Sequence, residues 1–270
     1  MFNKKSIVLT LALALSLGGL APVHSNEALL KEIQLKNPES EIINFANNAY
    51  FIIKQITHKH PSLGTVIIVH DQQEHADWPE LIHPLRTKLT SYGWNTLSVQ
   101  FPQHAENDAD TLSSKLNSYT PELRNALQKH LTGKLVLISK GENSHHIAEV
   151  FSDILGKLSA LVIISHSEDK SNPSVLRIIK RLSTTPMLDI YAQNDRPEVI
   201  ETAAFRMKTV REYAQTAHAQ YQQIIIPSAN HNYSHHETTL IKRIAGWLKR
   251  NAQQPRIAKP IETKNGKSED

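Results

Sequence analysis

Short apolar runs alternate with amphipathic stretches through most of this chain. Residues 65–69 are all β-branched, and 135–138 and 160–164 are continuous apolar runs. Such runs suit strands buried on both faces of a parallel sheet. Further strands are predicted over 94–99, 187–191 and 221–226, and a first one over 50–56, whose partial alternation suits a sheet edge. Leu81, Ile82, Leu85 and Leu89 share one helical face behind Asp77, and that helix is expected to stop at Tyr92 and Gly93, where glycine takes the left-handed conformation. A polar loop is predicted over 101–119, followed by a helix with Thr120 as N-cap and Pro121 at its first position, running to His130. Helices over about 143–155, 174–183, 198–217 and 237–250 complete the pattern. Regular strand–helix repetition implies an α/β fold, a mostly parallel sheet with helices on both faces, in one domain.

The ends read differently. Lys4 and Lys5 precede an apolar run over 7–20, with small residues around Ser25. That is the order of a cleaved secretory leader over 1–25, too short in its apolar part to span a bilayer. Export to the periplasm is therefore expected, with no membrane span after cleavage. Residues 26–48 read as a polar N-terminal extension with a weak stripe at Leu29, Leu30 and Ile33, 49–250 as the domain, and 251–270 as a disordered polar and basic tail.

Composition narrows the chemistry. The 270 residues are 40% hydrophobic and 21% charged, enough for a sizeable core. Having no cysteine excludes a cysteine nucleophile, a thiolate zinc site and disulfides. Net charge is +4 and no basic patch is interleaved with aromatics, so no nucleic-acid partner is expected.

The succession of Val66 to His70, Asp77-Trp78-Pro79, Leu85-Arg86, Gly93-Trp94 to Leu97 and Pro102 resembles the opening half of α/β-hydrolases. More narrowly, it is similar to a family of exported bacterial α/β-hydrolase-like proteins of unknown function, over roughly residues 50–248. The resemblance implies a nucleophile elbow, G-x-S-x-G, at the turn after the strand at 135–138. Here the elbow reads Ser139-x-Gly141-x-Asn143, with glycine in the nucleophile's place. It also implies an acid at Asp195 and a histidine at His231, in the chain order this fold uses. The amide of Glu142 and the loop at Asp71 and Gln72 take the positions of the oxyanion donors, and both carboxylates disfavour a developing oxyanion.

Three side chains offer a substitute nucleophile. Ser139 lies two residues early at the strand end, Ser144 three residues late in the first helical turn, and Lys140 could serve in a serine–lysine arrangement. Fifteen histidines raise the question of a metal: His231, His235 and His236 offer an x3 spacing and His145-His146 begins the elbow helix, but H-E-x-x-H is missing and the histidines read as surface or loop residues. Neither metal nor cofactor is expected. The expectation is a periplasmic protein without the serine nucleophile, acting as a binding or envelope-associated module for an unknown small molecule or envelope component. The alternative is an esterase-like hydrolase using Ser144 or Ser139, with His231 as base and Asp195 orienting it.

Overall fold

A computed structural model describes residues 23–103, 109–182, 185–217 and 220–252. Most of the expected leader and tail, and 104–108 of the expected loop, lie outside the described residues. The elements in order are α1 (Val23–Lys36), β1 (Glu41–Phe45), β2 (Tyr50–Gln55), β3 (Gly64–Val69), α2 (Ile82–Thr90), β4 (Trp94–Val99), α3 (Ala109–Gln128) and β5 (Lys134–Lys140). A 3-10 helix, Gly141–His146, leads into two short turns, α4 (Ile147–Val150) and α5 (Ser152–Leu155). Then come β6 (Ala160–Ile164), α6 (Ser174–Leu182), β7 (Met187–Asn194), α7 (Pro197–Ala217), β8 (Tyr221–Asn230) and α8 (Glu237–Asn251).

The eight strands form one sheet in the order β1-β2-β4-β3-β5-β6-β7-β8. β2 pairs antiparallel with β1 and β4, and the other pairings are parallel. The alternation of side chains along each strand divides the core. Ile67, Val69, Leu137, Leu161 and Ile163 meet α3 through α6, whereas Val66, Ile68, Val136, Ile138 and Val162 meet α2 and α8. β3 and β6 are buried along their whole length, as their continuous apolar sequence requires. Among the described residues no helix is long and apolar enough to cross a membrane.

Four local expectations need correction. The sheet begins before residue 50, because β1 pairs with β2 from Glu41↔Lys54 to Phe45↔Tyr50. Asp77 does not head α2: Leu81 is its N-cap, and the Asp77 carboxylate instead accepts from buried Arg86 at 2.6 and 3.1 Å. A buried guanidinium needs an anion more than a helix end needs a cap. The predicted loop is helical from Ala109 onward, and Pro121 lies inside α3 rather than at its start. Leu112, Leu116, Tyr119, Leu123 and Leu127 form a continuous buried stripe across the proline, so burial outweighs the lost hydrogen bond. Finally, the elbow leads into a 3-10 turn and two short α-turns rather than one helix over 143–155.

Candidate functional site

The C-terminal ends of the parallel strands gather the chemistry, as open α/β sheets dictate. Asp71 follows β3, Gly141 follows β5, Ser165 follows β6, Asp195 follows β7 and His231 follows β8. Gly141 makes the sharp turn with φ +62°, a left-handed conformation open to glycine at little cost.

Asp195 and His231 meet: His231 Nδ1 lies 2.6 Å from Asp195 Oδ1. Asp195 is held still by its other contacts. Its Oδ2 accepts from Ser165 Oγ at 2.5 Å and the Ala192 amide at 2.9 Å, and its Oδ1 from the Arg196 amide at 2.9 Å. Ser165, at φ +50°, also contacts the buried Tyr233 hydroxyl at 2.9 Å. The pairing has the geometry of an acid that orients a histidine.

The other half is a carboxylate. His231 Nε2 lies 3.0 Å from Asp71 Oδ2, where a triad histidine would meet the nucleophile. Asp71 Oδ1 accepts from the Gln72 amide at 2.7 Å and the Glu142 amide at 2.8 Å. Those two amides stand at the positions expected for oxyanion donors in this fold. A Cβ built on Gly141 would fall 2.0 Å from Asp71 Cγ. The aspartate is possible only because position 141 has no side chain.

The loop carrying Asp71 is fastened on both sides. His70 Nδ1 lies 2.6 Å from the Asp71 carbonyl, and its Nε2 accepts from the Phe101 amide at 2.9 Å. This assigns the neutral Nδ1–H tautomer, and burial pushes the His70 imidazole down to about 4. Asn143 Nδ2 donates to the His70 carbonyl at 2.8 Å, tying the elbow to the same loop. Burial works against charge on Asp71, but His231, the Glu142 amide, Lys140 and the Gln72 amide outweigh it and hold the carboxyl far below its ordinary value. Burial also opposes charge on His231, and the bonds to Asp195 and Asp71 overcome it and raise its pKa. Both ring nitrogens of His231 face carboxylate oxygens, an arrangement that favours its charged form. Arg196 Nη1 lies 3.7 Å from Asp71 Oδ2 and 3.8 Å from Glu142 Oε1 at the rim.

The candidate substitutes lie elsewhere. Ser144 Oγ donates to Ser139 Oγ at 2.9 Å, and both serines are fully buried. Among the described residues, the partners of the His231 ring are the two aspartates. Lys140 forms a buried ion pair with Glu74, beneath the elbow. In the sequence Asp71 stands out only as a misfit in a donor loop; its complementarity to Gly141 is the signal that would have placed it. Ser165, Tyr233 and Arg196 carry no sequence signal of their own.

Solved structures share this fold at low identity. Est1E from Butyrivibrio proteoclasticus superposes with a TM-score of 0.60 at 12% identity, covering 79% of this chain and 98% of that one. A dienelactone hydrolase from Anabaena variabilis gives 0.55 at 12%, covering 79% and 99%. An alpha-beta serine hydrolase homologue from Coxiella burnetii gives 0.55 at 14%, covering 78% and 97%. No curated protein matches the chain. These likenesses establish the α/β-hydrolase fold and nothing about activity. One family profile matches most of the chain, over residues 19–126 and 122–250, and by that match the protein belongs to the family described as "Protein of unknown function (DUF3530)".

Proposed function

We propose that this chain is an exported, periplasmic α/β-hydrolase-fold protein without serine-hydrolase activity, acting as a binding or envelope-associated module through the rim above its strand ends. One observation carries the reading: a Cβ on Gly141 would meet the Asp71 carboxylate, which accepts from the Gln72 and Glu142 amides, where this fold would place a nucleophile and its oxyanion donors. A fixed negative charge there opposes the charge that acyl transfer must develop. A carboxyl held far below its ordinary value is a weak base and a weak nucleophile. The Lys4-Lys5 leader pattern supports export. The esterase alternative gains no support from Ser139 and Ser144, which are buried against each other.

A second reading has one observation in its favour. With Oδ1 fixed by two amides, Asp71 Oδ2 faces His231, so the carboxylate itself is arranged as a nucleophile. Oδ2 would displace a leaving group from an alkyl carbon, and cleavage of the resulting ester would need a neutral His231 as base for water. The direct 3.0 Å contact between Oδ2 and His231 leaves no place for that water, which favours the first reading.

The test pairs wild type with Asp71→Gly/Gly141→Ser, which restores a serine and frees both amides. Wild type is expected to resist fluorophosphonate labelling and to leave nitrophenyl esters intact, while the double variant is labelled in a His231-dependent way. Wild-type labelling or ester turnover abolished by His231→Ala would overturn the proposal. Label from 18O-water entering Asp71 during turnover of a haloalkane or epoxide would install the second reading.

A further inference from the structure

Beside the elbow, and independent of Asp71, lies a second cluster. The loop after β6 carries His166 and Glu168, and the 3-10 helix after β5 carries His145. The donor atoms of His145, His166 and Glu168 lie within 4.8 Å of one another, and the two imidazole rings are 4.7 Å apart at an interplanar angle of 57°.

His166 is fully buried. Its Nε2 is engaged by Ser174 Oγ at 2.9 Å and Glu168 Oε2 at 3.3 Å. Without an ion that arrangement places the proton on Nε2, and Nδ1 has no partner among the described residues. With an ion on Nε2 the proton moves to Nδ1 and the ring stays neutral. Glu168 is immobilised as the cap of α6: Oε1 accepts from the Ser174 amide at 2.6 Å and Oε2 from the Val175 amide at 2.9 Å. Glu168 Oε2 stands 3.3 Å from His166 Nε2, close to the separation of roughly 3.4 Å that two ligands of one tetrahedral ion adopt.

We propose that His145, His166 and Glu168 form a binding site for a divalent transition-metal ion of the zinc class. Two imidazoles and a carboxylate are donors of that class, and three protein ligands leave a fourth position for water or an anionic ligand group. Ligands about 2.1 Å from a tetrahedral ion lie roughly 3.4 Å apart, so closing on the ion takes side-chain movements of about an ångström. The site adjoins Ser165, which bonds Asp195, so a bound ion would sit on the same rim as the carboxylate–histidine array.

The experiment strips the full chain with chelator and titrates it with Co2+, reading the visible absorption of a tetrahedral ion, followed by competition with Zn2+. One equivalent is expected to bind. His145→Ala should weaken binding at least ten-fold, and His58→Ala, at an exposed position, should leave it unchanged. His145 is only partly buried, so its alanine variant is expected to keep the wild-type melting curve, and Glu168→Gln gives a second measure. Absence of a one-equivalent tetrahedral spectrum in wild type, or equal affinity in wild type and His145→Ala, would overturn the proposal.

Discussion

The Asp71 carboxylate lies where a side chain on Gly141 would have to go: a Cβ at position 141 meets Asp71 Cγ and Oδ1 at 2.0 Å. Neither residue can be understood alone. A side chain at 141 excludes the aspartate, and the aspartate takes the two amides that a serine nucleophile would need free.

Gly141→Ser alone is therefore expected to destabilise the protein by about 2–4 kcal/mol, from overpacking and from a non-glycine residue at positive φ. Adding Asp71→Gly removes the clash, so the double variant should be more stable than the two single changes sum to. Urea-unfolding midpoints of all four proteins check this. Simple additivity would contradict the shared space.

The pH dependence of stability should carry the signature of His231. Its folded pKa is raised above the ordinary 6.5, so its contribution is full below that value and is lost as pH rises through the folded pKa. Asp71 and Asp195 are lowered below 3.8, so their contribution holds above that value and is lost as pH falls through their folded pKa values. His70 and His145, both lowered to about 4, add stability as pH rises from there towards 6.5. Unfolding free energies measured from pH 6 to 9 should fall more steeply in wild type than in His231→Gln. Parallel slopes would remove the imidazolium from the account.

Away from the rim, Asp189 is a heavily used buried anion. Its Oδ2 accepts from Arg206 Nε at 2.9 Å, Tyr221 at 2.5 Å and Gln223 at 2.8 Å, and Arg206 is fully buried. Asp189→Ala would strand that guanidinium and should cost about 3–5 kcal/mol. Replacing both partners, as in Asp189→Leu/Arg206→Met, should cost clearly less. A calorimetric comparison in which the double variant is the worse of the two would contradict this.

Pro121 interrupts α3 without ending it, so Pro121→Ala should raise stability, by up to about 3 kcal/mol if the helix needs no bend there. A lowered melting temperature would mean that the proline's bend is required by the stripe from Leu112 to Leu127.

The sequence by itself determined the α/β alternation, since continuous runs such as 160–164 have no stable place but a doubly covered strand. It also determined the turn at Gly141 and the strand-end positions of Asp195 and His231, because local pattern and chain order are enough for those. Tertiary structure decided the remainder. That α3 runs through Pro121 depends on which surface Leu116 and Leu123 find to cover. That Asp71 enters the space over Gly141 depends on β3 lying beside β5, two strands distant in the chain and adjacent in the sheet. The same is true of the cluster of His145, His166 and Glu168, which forms only because the loop after β6 lies against the turn after β5. A one-dimensional pattern records the spacing of apolar side chains and the order of turns between them. It does not record which unlike charges will share a space once the sheet has formed.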